Sequence, residues 1–252
     1  MKFIAIIQAR CGSSRLPGKI LIDICGKPVL QRVIERVQKS KYVEEVIVAT
    51  SITHDNLPVM ALCANLGVRV FAGAEHDVLD RYYQVAKLLM PEYIVRVTAD
   101  CPCYDWDILD AAIDAMHLET DYLCSSNETL PDGLDIEIMK FSVLEKAWNE
   151  AKLSSEREHV TLFIHNNSKD FVIQKLDSPC GNNGHIRLTL DEDSDLLLIR
   201  QVYERLHEAK NHDFLTTDIL QLLESHPDLL KINEHITRNE GLLKSLQDDR
   251  RI

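Results

Sequence analysis

Residues 2–8, KFIAIIQ, precede VLQRVIERVQK at 29–39 and EEVIVATS at 44–51, so an apolar strand, an amphipathic helix and a second apolar strand follow in turn. The alternation continues outward through LPVMALCANLG (57–67), VRVFAG (68–73), DVLDRYYQVAKLLM (77–90), EYIVRVTAD (92–100) and WDILDAAIDAMH (106–117). Strands that take turns with helices predict an α/β fold: a mainly parallel, doubly wound sheet with helices on both faces. Such sheets bind ligands at the carboxyl ends of their strands, so the loops after FIAIIQ, VIVATS and YIVRVT are where chemistry is expected.

The rhythm loosens from residue 121 to about 184, through DYLCSSN, a turn at LPDG, the strand-like LDIEIMKF and a helix in SVLEKAWNEAK. This stretch reads as a small inserted α+β lobe on a single domain spanning residues 1–252. HIRLTL at 185–190 is expected to be the next strand. DEDSDLLLIRQVYERLHEAK at 191–210 is expected to be the next helix, its first turn acidic as the helix dipole prefers. The remainder reads as surface helix and polar tail.

With 252 residues, 45% of them hydrophobic, the chain can bury a substantial core. Forty acidic against 28 basic residues give a formal charge of -12, which disfavours a nucleic-acid partner but leaves room for a local basic cluster. Seven scattered cysteines without a CxxC pair argue against a disulfide framework or a zinc knuckle. The N-terminus carries no signal-peptide pattern, and no apolar run approaches membrane-spanning length; a soluble, cytoplasmic protein is expected.

The first strand runs directly into QARCGSSRLPGK, residues 8–19. Five residues rather than four separate Gly12 from Gly18, and Ile20 follows Lys19, so the GxxxxGK[ST] phosphate loop is excluded. The GxGxxG dinucleotide fingerprint is absent as well, and Pro17 forbids a simple strand-to-helix elbow. The ingredients nevertheless suit polyphosphate. Gly12, Ser13 and Ser14 allow a turn whose backbone N–H groups converge on an anion, while Arg10, Arg15 and Lys19 supply charge.

QARCGSSRLPGK resembles the A-R-x-x-S-x-R-L-P-G-K signature of the cytidylyltransferases that make CMP-activated acidic sugars. It is most similar to the subgroup typified by spore-coat polysaccharide biosynthesis protein F. DVLDRYYQVA from Asp77 and REHVTLFI from Arg157 resemble that subgroup too. The resemblance implies a Rossmann-like, nucleotide-diphospho-sugar transferase-like fold. It also implies a loop around CTP that includes Ala9, Cys11 and Gly12, with Arg10, Ser13, Arg15 and Lys19 on the triphosphate.

Two carboxylates stand at expected strand ends: Asp100 in RVTADCPCYD and Asp191 in RLTLDEDSD. Magnesium takes one or two carboxylates and completes its shell with water and phosphate oxygens, so this pair is the expected metal site. Helix capping is the plain alternative for Asp191. The resemblance matches both to magnesium-holding aspartates. Asp105 is a candidate for supporting the metal site from behind, and Asp193 and Asp195 read mainly as helix-dipole partners.

LPDGLDIE places Asp132, Asp135 and Glu137 around Gly133, by itself most often only a turn. The resemblance makes Asp135, Glu137, Arg157 and His159 candidates for acceptor binding; for His159 a structural role weighs equally. Asp77, Asp80 and Arg81 are candidates beside the nucleoside, or members of a plain amphipathic helix.

Together these readings predict transfer of CMP from CTP to an acidic sugar, with magnesium as cofactor, pyrophosphate as leaving group, and Arg10, Arg15, Lys19 and Asp100 as the catalytic set. Cytosine and a homodimer are implied by the resemblance alone. Two alternatives stay open. One is a nucleotide-sugar-dependent glycosyltransferase, which the DED at 191–193 formally fits; the other is a nucleotide-binding protein without turnover.

Overall fold

The computed structural model describes residues 1–210 and 213–251. The first hundred residues supply strands β1 (Phe3–Gln8), β4 (Val43–Ser51), β5 (Arg69–Gly73) and β6 (Tyr93–Thr98), with a short hairpin of β2 (Asp23–Ile24) and β3 (Lys27–Pro28) standing apart. Residues 121–184 add β7 (Tyr122–Ser125), β8 (Glu137–Lys140) and β9 (Ile173–Leu176) to the same sheet. The order is β5-β4-β1-β6-β8-β7-β9. All pairings are parallel except those of β8, which runs antiparallel to both neighbours.

Side chains alternate across a strand with period two, and β1 shows the result. Phe3, Ala5 and Ile7 enter one apolar cluster, Ile4 and Ile6 the other. The first cluster is covered by α1 (Val29–Val37), α2 (Leu57–Leu66), α4 (Trp106–Asp114), α8 (Asp193–Lys210) and α9 (Thr216–Ser225). The second is covered by α3 (Val78–Leu89), α5 (Phe141–Glu150) and α7 (Leu162–Asn166), with the short α6 (Ser154–Glu158) beside them. Helices on both faces of a mainly parallel sheet make this the doubly wound α/β architecture. Among the described residues no helix is long and apolar enough to cross a membrane.

One expected strand is corrected. HIRLTL sends Ile186, Leu188 and Leu190 into one apolar cluster, as alternate residues of a strand would, but among the described residues it joins no ladder beyond a single bridge between Asp132 and Arg187. Its backbone divides its bonds between two loops. Asp132 donates to the Ile186 carbonyl at 2.9 Å, Leu188 donates to Asp132 at 2.7 Å, and Leu190 donates to Asp100 at 2.8 Å. Periodicity reports which face is buried and says nothing about whether one neighbour runs alongside throughout. Gly133 permits this seam: its φ is +93°, and a Cβ there would lie 2.5 Å from the Thr189 nitrogen.

Candidate active site

The basic loop leaves the carboxyl end of β1 and turns on itself. The Cys11 carbonyl accepts from the N–H groups of Ser13 (2.8 Å) and Gly18 (3.1 Å), while the Cys11 N–H donates to Asn56 Oδ1 at 2.8 Å. Asn56 is buried and donates in turn to Ser51 and Thr53, so the loop rests on a fixed amide behind β4. Of the three amides expected to face an anion, that of Ser13 is thus turned inward. Those of Gly12 and Ser14 make no hydrogen bond among the described residues. Gly18, at φ +68°, reverses the chain so that Lys19 is sent back under the loop.

Lys19 is buried, and its ammonium lies 2.5 Å from Asp100 Oδ2 and 2.7 Å from Asp191 Oδ1. The loop expected to hold phosphate and the carboxylates expected to hold metal therefore meet at one atom. Burial works to raise the Asp100 pKa, yet the Lys19 charge outweighs it and holds the carboxyl at about 2. Burial works to lower the Lys19 pKa, and the two carboxylates reverse that into a net rise.

Asp191 is held from the far side by Arg187, a residue the sequence reading did not single out. Arg187 is buried and spans Asp132 (2.7 Å), Asp191 (2.8 Å) and Asp195 (2.9 Å). Asp195, fully buried, also accepts from the N–H groups of Asp191 and Glu192 and from Asn233. Beyond the helix-dipole role expected for it, Asp195 therefore anchors the arginine that aims Asp191. Arg15 reaches the same carboxylate at 3.0 Å and extends to Glu240 at 3.0 Å.

Two cavities open on either side of this junction. One, of about 360 Å³, is lined by Ala9, Arg10, Gly12, Ser13, Lys19 and Arg81. The other, of about 650 Å³, extends over β8 and β7 and is lined by Asp132, Asp135, Glu137, Arg187 and Arg238. Arg15, Asp100, His159 and Asp191 border both. Segregation of phosphate-type groups from hydrogen-bonding carboxylates across a shared pair of aspartates suits two substrates that react where the cavities meet.

Within the larger cavity the charges are crowded. Burial pushes Asp132 up to about 6 against the pull of Arg238 and Arg187, with Asp135 adding repulsion. Asp135, also raised by burial, accepts from Arg238 at 2.6 Å. Glu137 lies deeper and is saturated by Arg96, Tyr122 and, at 2.7 Å, Thr161. Burial would raise its pKa, but Arg96 and the two hydroxyls carry it below the usual value. His159 bonds Ser245 Oγ through Nε2 at 2.9 Å, and burial lowers its pKa, so it borders the junction as a weakly basic ring.

Other candidates are placed elsewhere. Asp77 caps α3 through the Asp80 N–H at 2.8 Å and receives Arg157 at 2.6 Å; the two line neither cavity and tie α6 to α3. Asp80 likewise lies outside both, bonded to Gln84 and Trp148. Arg81 reaches the smaller cavity, although its guanidinium also holds the carbonyls of Ala74 and Glu75. Asp105 caps α4 and binds Thr216 at 2.7 Å, a scaffold role outside both cavities. The Cys11 side chain turns into the core, leaving only its backbone to the loop.

The C-terminal segment, with α10 (Glu240–Gln247), closes the mouth of both cavities through Glu240 and Gly241. It is latched by Asp249, which accepts from Ser154 Oγ (3.1 Å), Ser155 N–H (3.0 Å) and Ser155 Oγ (2.7 Å). Sequence reading dismissed this segment as polar tail.

The family model for cytidylyltransferases matches residues 4–225. An uncharacterized protein of Methanocaldococcus jannaschii is 37% identical over 242 residues, covering 94% of this chain and 96% of that one. The spore coat polysaccharide biosynthesis protein SpsF of Bacillus subtilis is 32% identical over 237 residues, covering 88% and 94%. A solved cytidylyltransferase from Leptospira borgpetersenii superposes with a TM-score of 0.86 at 30% identity, covering 91% of this chain and 97% of that one.

Proposed function

The chain belongs to the cytidylyltransferase family, and from that premise we propose that it transfers CMP from CTP to an acidic sugar, releasing pyrophosphate. The observation that carries this reading is the convergence of Lys19, Asp100 and Asp191 between two cavities. The smaller cavity, walled by the basic loop, suits the nucleotide. The larger one, rich in hydrogen-bonding side chains, suits a polyhydroxylated acceptor. The likeness of QARCGSSRLPGK to enzymes making CMP-activated acidic sugars supports the acceptor class.

Asp100 and Asp191 fit a divalent cation: both aim an oxygen at one point, now held by the Lys19 ammonium, and magnesium needs few protein ligands when phosphates supply the rest. Bound there, magnesium would neutralise phosphate charge during transfer.

The chain's own residues do the rest. The acceptor hydroxyl oxygen bonds to the α-phosphorus as the bond from that phosphorus to the bridging oxygen breaks, and the hydroxyl proton leaves to solvent. Arg10, Arg15 and Lys19 offset charge that accumulates on the departing pyrophosphate. Amides of Gly12 and Ser14 donate to phosphate oxygens, and Arg187 with Asp195 keeps Asp191 aimed.

The test is pyrophosphate release with magnesium, each nucleoside triphosphate and a panel of acidic and neutral sugars. CTP with an acidic sugar is the expected productive pair. Release only with neutral sugars would overturn the acceptor class; no release with any acceptor would overturn the reaction.

A further inference from the structure

Five cationic side chains line the larger cavity: Arg15, Arg96, Lys175, Arg187 and Arg238. Four are committed or distant. Arg96 is paired with Glu137 beneath the floor, and Arg187 is divided among three aspartates. Arg15 points to Asp191, Glu192 and Glu240 at the nucleotide side. Lys175 lies on β9, three strands from β6, or about 14 Å at the usual interstrand spacing. It therefore stands at the edge of the sheet, away from the Asp100 turn.

Arg238 differs. Its Nη1 donates to the carbonyls of Asn127 (2.9 Å) and Leu130 (3.1 Å), which fixes the plane of the guanidinium. The opposite edge, Nε and Nη2, faces the cavity carboxylates: Nη2 meets Asp135 Oδ1 at 2.6 Å, with its other hydrogen toward Asn127 Oδ1 at 3.3 Å, while Nε stops 3.7 Å from Asp132 Oδ1. One planar fork is thus split between two aspartates from one turn, and its Nε–H makes no hydrogen bond among the described residues. A single carboxylate satisfies such an edge with two parallel bonds, the strongest arrangement open to arginine. Asp135 stands in that place, and burial raises its pKa, so its own hold on the charge is weakened.

We propose that Arg238 is the specificity-determining residue that binds the carboxylate of the acceptor sugar, taking it in place of Asp135. This deepens the function proposed above and rests on it. The residue lies in the C-terminal segment, close in sequence to Glu240 and Gly241, which border both cavities.

The test compares the full-length wild type with Arg238→Gln and Arg238→Lys, using the acidic sugar of the panel that releases pyrophosphate fastest and the C1 carboxamide of that sugar. Arg238→Gln should raise KM for the acid about 10- to 100-fold, the loss of a charge-assisted bond. KM for CTP and KM for the carboxamide should stay within about twofold, and Arg238→Lys should restore part of the loss. If Arg238 only positions Asp135 or the loop at Asn127, acid and carboxamide will suffer alike; that result, or an unmoved KM for the acid, overturns the proposal. Failure of the underlying reaction would be visible separately, as CTP binding by the wild type without pyrophosphate release from any sugar, and would remove the role of Arg238 with it.

Discussion

The backbone N–H of Leu190 donates to the carbonyl of Asp100 at 2.8 Å. That bond brings the turn after residue 190 against the end of β6, and so sets Asp191 opposite Asp100 with Lys19 between them. The pair of carboxylates is thus placed by a backbone hydrogen bond as well as by the side chains that hold Asp191.

Asp100→Asn keeps the shape and removes the charge. Turnover should fall by ~10²-fold or more, as for the loss of one charge-stabilising group in a transfer reaction. Pyrophosphate release together with an unchanged circular dichroism spectrum checks this. Activity within a few fold of wild type would exclude Asp100 from the proposed metal site.

Lys19→Met should weaken CTP binding by roughly tenfold and CMP binding less, because in the proposed mode its ammonium offsets charge on the pyrophosphate portion that CMP lacks. Calorimetry with both nucleotides separates the cases. An equal loss for both would assign Lys19 to scaffolding of the two aspartates alone.

Acid should strip away stability at Asp100. Its folded pKa of about 2 lies below the unfolded value near ~3.9, so the stabilisation is full above the unfolded pKa and is lost as pH falls through the folded one. The difference amounts to about 2–3 kcal/mol at neutral pH. Urea midpoints of wild type and Asp100→Asn should therefore converge between pH 5 and pH 2. A gap constant over that range would contradict the coupling to Lys19.

Arg187→Met leaves Asp195 buried without its cation and releases Asp191. Unfolding free energy should drop by about 3–5 kcal/mol, the usual cost of breaking a buried pair. Loss below 1 kcal/mol in a denaturant titration would show that the network is already hydrated.

Two glycines should respond unequally to alanine. Gly18 has φ +68° and open space around it, so Gly18→Ala should cost only the backbone penalty, roughly 1–2 kcal/mol, while raising KM for CTP by displacing Lys19. At Gly133 a Cβ would also strike the Thr189 backbone, so Gly133→Ala should be far more damaging in a thermal melt. Equal melting shifts would refute the close approach.

Strand and helix alternation made the doubly wound sheet legible, because burial on both faces leaves long apolar runs in each parallel strand. The antiparallel β8 was not legible, since LDIEIMKF carries no mark of direction. Asp100, Asp191 and Lys19 were found as types at strand ends and in a basic loop, but their meeting depends on the Leu190 bond, which no side chain encodes. Arg187 stands inside the quoted RLTLDEDSD without being singled out; three aspartates in the eight residues after it are its signal. Asn56 and Arg238 each act at a distance of tens of residues or more, through loops that carry no periodicity. Asp77 and Arg157 show the converse: two charges in family-like stretches that spend themselves on each other.

The Asp249 latch fastens to the body of the molecule a segment that carries part of the border of both cavities. A nascent chain that has emerged through residue 225 already holds the whole sheet, the basic loop and both carboxylates. It still lacks Arg238, Glu240 and the strap that Asp249 fastens to Ser154 and Ser155. The sheet is therefore complete in sequence without the strap, whereas both cavities take part of their border from it.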